Sequence, residues 1–196
     1  MTDTVRTQSE ILALLADNTT GDISPQDIRD MVVSAYADTG HGWAFYADGE
    51  FTSEGDSDVF AGDTRKKLTN DGAARTVDSE LNGIATPWVG DTVIVDLNSF
   101  YIVRLGFHAE TTASGAGNYF DIELDIAGTQ QVIWAATNVM AKGANIEHRF
   151  QWAIPIFAGT DFDTNGGEFY VTSRTPMELK VWGTDISIAR TYKQAG

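Results

Sequence analysis

From residue 43 onward, apolar and polar residues alternate with a period of two in short runs separated by Gly, Asn, Asp and Ser clusters, whereas the period before residue 40 is helical. These observations predict a mainly β protein, an antiparallel jelly-roll sandwich preceded by a short N-terminal helical hairpin. The expected division is residues 1–40 for the helical segment, serving attachment or oligomerisation, and residues 41–196 for the sandwich.

The helical segment has its own start and stop chemistry. Ser9 is placed to cap a helix of about two turns in which Ile11, Leu12, Leu14 and Leu15 recur at helical spacing. Turn residues fill the interval from Asn18 to Asp22, with Gly21 able to take a left-handed backbone at low cost. A second helix then starts with Ser24 as N-cap, Pro25 at the first helical position and Asp27 three residues after the cap, and Ile28, Met31, Val32 and Ala35 share one face. Helices this short are marginal in water. The stripe of Ile11, Leu14, Leu15, Ile23, Ile28, Met31 and Val32 is therefore expected to be buried against the same chain, a symmetry mate or another protein.

Strand signals follow in order. The run FDIELDI, residues 120–126, puts Phe120, Ile122, Leu124 and Ile126 on one face and Asp121, Glu123 and Asp125 on the other. Tyr101, Val103, Leu105 and Phe107 share a face, as do Ile146, His148, Phe150, Trp152, Ile154 and Ile156. Further strands are expected at Trp43 to Tyr46, Val59 to Ala61, Val93 to Leu97, Gln131 to Ala136, Phe169 to Thr172, Met177 to Trp182 and Ile186 to Arg190. The total is about eight to ten strands, with turn clusters TTASGAGN and GTDFDTNGGE between them, in keeping with a sandwich rather than a doubly wound sheet. Several strands are apolar on both faces: Phe100 and Ile102 oppose the Tyr101 set, and Trp182 opposes Val181. Such a pattern marks either a central, doubly covered strand or an outer face buried between subunits.

Bulk composition bounds the function. The 196 residues suit one medium domain with a short extension. Thirteen Lys and Arg against 28 Asp and Glu give a formal charge of −15, which repels nucleic acid and an anionic membrane surface. With no cysteine there is neither a disulfide framework nor a thiolate site. The first residues lack the basic start and apolar run of a signal peptide, and the longest apolar patch, WAIPIFAG, falls short of a membrane span, so synthesis and folding in a cytoplasm are expected.

Chemistry-bearing motifs are sparse. Asp161 to Gly166 matches the first six places of a calcium loop, but Thr172 stands where the bidentate Glu belongs, and an Asx-rich hairpin turn with Gly166 and Gly167 at positive φ accounts for the segment. Asp121, Glu123 and Asp125 form a row able to hold a cation or an acid and base pair, although a solvated face explains it. His41, His108 and His148 have no ligand spacing, and His148 is expected as a core or interface histidine. No nucleophile elbow or phosphate loop is present, and Gly115-Ala116-Gly117 reads as a hairpin loop. Trp88, Tyr119 and Trp134 are the aromatic candidates for a sugar-binding surface. No catalytic, cofactor-binding or metal-binding residue is assigned.

The stretch QSEILALLADNTTGDISPQDIRDMVVSAY resembles the N-terminal segment of many tailed-bacteriophage structural proteins, with Asn18, Gly21, Ile23, Ser24, Ile28, Arg29 and Asp30 carrying the likeness over about thirty residues. The remainder, from WAFYADGEF through KLTNDG to KVWGTDISIARTY, is similar in rhythm to phage jelly-roll domains of the tumour-necrosis-factor and complement-head type, through Trp182, Ile186, Ile188 and Arg190 in the last strand. The resemblance implies a non-enzymatic virion component, assembled in the host cytoplasm: a homotrimer packed through aromatic faces and joined to other capsid or tail proteins. Lacking a shaft or repeat, the chain reads as a compact knob of capsid-decoration, head-fibre or tail-appendage type; the alternative is a carbohydrate-binding module of a tail fibre that contacts a host surface glycan. A hydrolase is the third class and requires an acid pair in a cleft.

Overall fold

The computed structural model describes residues 10, 28–32, 42–72, 74–77, 87–113, 117–174 and 178–193. Twelve strands and one short helix follow in chain order: β1 (Gly42–Ala47), β2 (Asp58–Phe60), β3 (Arg65–Lys67), β4 (Ala74–Val77), β5 (Trp88–Val89), β6 (Thr92–Val93), β7 (Ser99–Thr111), β8 (Tyr119–Ile126), β9 (Gln131–Val139), β10 (His148–Phe157), α1 (Thr160–Asn165), β11 (Gly167–Ser173) and β12 (Leu179–Lys193). They form two antiparallel sheets. The first has the order β10-β7-β12-β1-β4, with β2 also on β12; the second has the order β5-β6-β11-β8-β9, with β3 also on β11. This is the expected jelly-roll sandwich.

Alternation decides which side chains fill the space between the sheets. Tyr101, Val103, Leu105 and Phe107 of β7 are fully buried against Phe120, Ile122 and Leu124 of β8, Phe169 and Val171 of β11, and Ile186 and Ile188 of β12. A strand shifted by one residue would turn this whole set outward, so burial of one face fixes the register. Arg190 enters the interior with its charge compensated, its Nη1 donating to Asp96 Oδ2 at 2.6 Å.

Several elements differ from expectation. The strands expected separately at Met177 to Trp182 and Ile186 to Arg190 are joined from Leu179 in one strand, β12, Met177 lying outside the described residues; the register is irregular between Trp182 and Asp185, where Gly183 takes φ 57°. Of the strand expected at Val93 to Leu97, only Val93 is paired. β3, β4 and β5 lack apolar alternation long enough to announce them. Asp161 to Gly166 is not a hairpin turn: residues 160–165 wind into α1, Phe162 is buried in the core, and only Gly166 of the two glycines has positive φ.

Of the N-terminal stripe, Ile11, Leu14, Leu15 and Ile23 lie outside the described residues, as does His41. Residues 28–32 are helical, and Ile28, Met31 and Val32 are exposed on the single chain.

Candidate functional site, a sparsely charged sheet face

The outer faces of the two sheets differ in chemistry. On the second sheet, Arg65 binds Glu123 at 2.8 Å and also Asp125, Lys67 binds Glu168 at 2.9 Å, and Arg174 binds Asp121 at 2.7 Å. The acidic row on β8 is thus not a simple solvated face. Asp125 is 1% exposed beneath Arg65, whose guanidinium also lies 3.6 Å from the Tyr170 ring centre. Burial works to raise the Asp121 carboxyl, but hydrogen bonds from the Thr137 hydroxyl and Arg174 outweigh it and hold it below the usual range. Glu168 is lowered in the same way, with burial opposed by Lys67 and the Tyr170 hydroxyl. Ion pairs of this kind leave the face suited to water.

The first sheet presents the opposite surface. Strand register sets Trp43, Ala189, Ile102 and Pro155 side by side in one row, and Phe45, Ser187, Arg104 and Ala153 in the next. Phe100 lies beside Phe157 at one end. Trp43 is 45% exposed, Phe45 37% and Phe157 56%, while Phe100 and Ile102 are half-buried. The expectation of strands apolar on both faces holds here.

Toward the other end of this face, Arg149 pairs with Asp185 across Gly106, where a Cβ would come within 2.8 Å of the guanidinium. His108 stacks on Trp182 at 5.9 Å and pairs with Glu147. Arg104, in the middle, is exposed and has no ion-pair partner among the described residues. Phe45, Asp48, Thr52, His108, Arg149, Trp182 and Asp185 line a cleft of about 440 Å³. Asp48 is 8% exposed; its Oδ1 accepts from the backbone N–H groups of Glu50 and Phe51, and its buried Oδ2 has no hydrogen-bond partner. Burial pushes its pKa above the ordinary value.

The apolar surface turns the corner at β10. β9 (QVIWAATNV) carries no charge and β10 (HRFQWAIPIF) carries only Arg149, and both are sheet edges. Along this edge the aromatic side chains pack on the core but are only partly covered. Phe150 and Trp152 stack at 5.9 Å, Phe120 meets Phe150 edge-on at 4.9 Å, and Trp134 closes on Trp152 at 6.4 Å, with Phe150, Trp152 and Trp134 only half-buried. Half-buried His148 lies beside Phe150, its Nε2 buried without a hydrogen bond. At the far end Ile126, Ile133, Ile156, Phe157 and Phe162 line a groove of about 600 Å³.

Of the aromatic residues considered for sugar binding, Trp88 is buried and its indole donates to the Asn70 carbonyl at 2.9 Å, so it is structural. Trp134 belongs to the edge cluster, and Tyr119 is exposed. Among the described residues no group of three or more His, Asp or Glu side chains is arranged to hold a metal, and no helix is long and apolar enough to cross a membrane.

No protein-family model matches the chain, and no curated protein matches it. Among solved structures, it is similar to the Eiger tumour-necrosis-factor protein of S. frugiperda, with 8% identity, a TM-score of 0.48 and coverage of 79% of this chain and 94% of that chain. It is also similar to murine APRIL, with 12% identity, a TM-score of 0.44 and coverage of 76% and 98%. For the PRD1 vertex protein P5 the values are 9%, 0.39, 76% and 72%.

Proposed function

We propose that this chain is a non-enzymatic structural protein of a virus particle, a compact homotrimeric knob of capsid-decoration, head-fibre or tail-appendage type, held to other phage virion proteins by its N-terminal segment. The observation that carries the reading is the exposed, nearly uncharged face of the first sheet, continuous round β10 with a partly covered aromatic edge, on a chain of charge −15. Contiguous apolar surface of this extent marks an interface, and everywhere else like charge opposes association.

The face and the edge are different surfaces that meet along β10. Packing the face of one copy on the edge of the next is heterologous, and a heterologous contact closes into a ring when the rotation allows it. Pro155, which has no N–H to offer a further strand, favours side-chain packing over sheet extension at that edge. The likeness of residues 8–36 to tailed-phage N-terminal segments supports the virion placement.

The test is the mass of the full chain in dilute solution by analytical ultracentrifugation. The expected mass is three times the 21.3 kDa of the chain, and Trp43→Glu with Phe157→Glu, both on exposed positions, is expected to return a single folded subunit. A wild-type monomer would sink the reading. An image reconstruction of the particle locates the knob on capsid or tail, and its absence there would remove the virion role.

A further inference from the structure

The turn that follows β1 is held by two carboxylates. Asp48, 8% exposed, accepts the backbone N–H groups of Glu50 and Phe51 at Oδ1, at 3.0 and 3.3 Å. Asp71, in the loop after β3, accepts the intervening N–H of Gly49 at 2.8 Å. The turn is fastened to β12 as well: Asp48 donates its N–H to the Thr184 carbonyl at 2.9 Å, and the Phe51 carbonyl accepts from Gly183 at 2.7 Å, where the strand register is irregular. Asp48 and Thr52 thereby form one wall of the cleft.

Among the described residues no cation pairs with Asp48. Its Oδ2 is closed to solvent and has no hydrogen-bond partner. Of the charged groups at the cleft, Arg149 gives its guanidinium to Asp185 and to the Gly183 carbonyl, and His108 is paired with Glu147. Glu50 in the turn itself and Asp71 beside it are further acids. Burial raises the Asp48 pKa, the N–H groups of Glu50 and Phe51 oppose it without cancelling it, and the Asp71 charge adds to it. A carboxylate oxygen sealed from water with no donor is costly. Either a proton on Asp48 or water admitted by displacement of the turn relieves that cost. We propose that residues 48–52 form a pH-sensitive latch on the cleft, held closed when Asp48 is protonated and released more readily when it is ionised. The closed turn binds the proton more tightly than the opened chain does, so this contribution is fully present below the ordinary Asp pKa and is lost as pH rises through the raised one. Asp121 and Glu168, whose carboxyls are held low, work in the opposite direction, so the latch is read locally rather than from global stability. It lies within one chain and holds whether or not copies assemble.

Hydrogen exchange of the full chain, followed from about pH 7 to about pH 4 and corrected for intrinsic amide rates, tests it. Protection of the Glu50, Phe51 and Gly183 N–H groups is expected to rise about threefold or more as pH falls. The midpoint of that rise is expected to coincide with the titration midpoint of the Asp48 carboxyl carbon in a carboxyl-labelled sample, itself above the ordinary Asp value. Asp48→Asn keeps Oδ1 for the Glu50 and Phe51 N–H groups and is expected to abolish the dependence. If that variant fails to fold, the coincidence of midpoints in the wild type still decides. Protection independent of pH in the wild type, a dependence that survives in Asp48→Asn, or a midpoint that follows Asp71 instead overturns the latch, and none of these outcomes bears on whether copies assemble.

Discussion

At the scale of single residues, Arg65 governs the acidic strand. One guanidinium spans Glu123 and Asp125 and sits over the Tyr170 ring, and Asp125 beneath it is almost wholly removed from water. Removing the cation leaves a buried carboxylate with its principal partner gone, which costs more than the pair contributes when intact. Arg65→Met, which keeps the bulk, is expected to lower unfolding stability by about 2 kcal/mol in a urea titration at neutral pH. Arg65→Lys is expected to recover only part of that loss, since a point charge cannot hold two carboxylates and cover a ring at once. An unchanged midpoint in Arg65→Met would mean that Asp125 is hydrated. The alternation of FDIELDI made the two faces of β8 readable from the sequence, but not this clamp. Arg65 is 58 residues from Glu123 along the chain, and the RKK of β3 has no apolar period to show that it pairs with β11.

At the scale of elements, the segment after β10 shows how packing overrides a motif. A calcium loop and a single helical turn both use Asp, Asn and Gly, and the outcome is decided by Phe162, whose burial in the core draws residues 160–165 into α1. Gly166 ends the turn with φ 76°, and a Cβ there would lie 2.6 Å from the Thr92 methyl and 2.7 Å from the Val93 carbonyl oxygen. Gly166→Ala therefore meets both a strained backbone and a backbone atom that cannot rotate away. A loss of about 2 kcal/mol or more is expected, read as a lowered thermal midpoint. An unchanged midpoint would show that β6 can move aside at no cost. The elements legible in advance were the long ones, β7, β8 and β10, because one buried and one outward face impose a period of two over eight or more residues. β5 and β6 are two-residue pairs that carry no period, and β12 reads as two strands because the irregularity near Gly183 reverses the alternation. Aromatic residues on both faces of a strand did signal the exposed apolar face of the first sheet. The cleft was hidden, since Asp48, His108, Arg149 and Trp182 gather only after β1, β7, β10 and β12 are laid side by side.

At the scale of the whole molecule, charge and apolar surface act against each other. Each copy carries a formal −15, so bringing copies together raises electrostatic self-repulsion, while covering Trp43, Phe45, Phe157 and the aromatic edge removes apolar surface from water. Salt separates the two. At about 10 mM ionic strength the Debye length is about 30 Å, so the bodies of neighbouring copies repel; at 0.15 M it is about 8 Å, and most of that repulsion is screened. Contact between uncharged side chains is almost indifferent to the same change. Assembly is accordingly expected to tighten as sodium chloride rises from about 10 mM to about 150 mM, by tenfold or more in the dissociation constant measured by sedimentation equilibrium. The opposite slope would mean that the copies are held by surface ion pairs of the sort seen on the second sheet, and that the ion-paired face, rather than the aromatic one, is where they join.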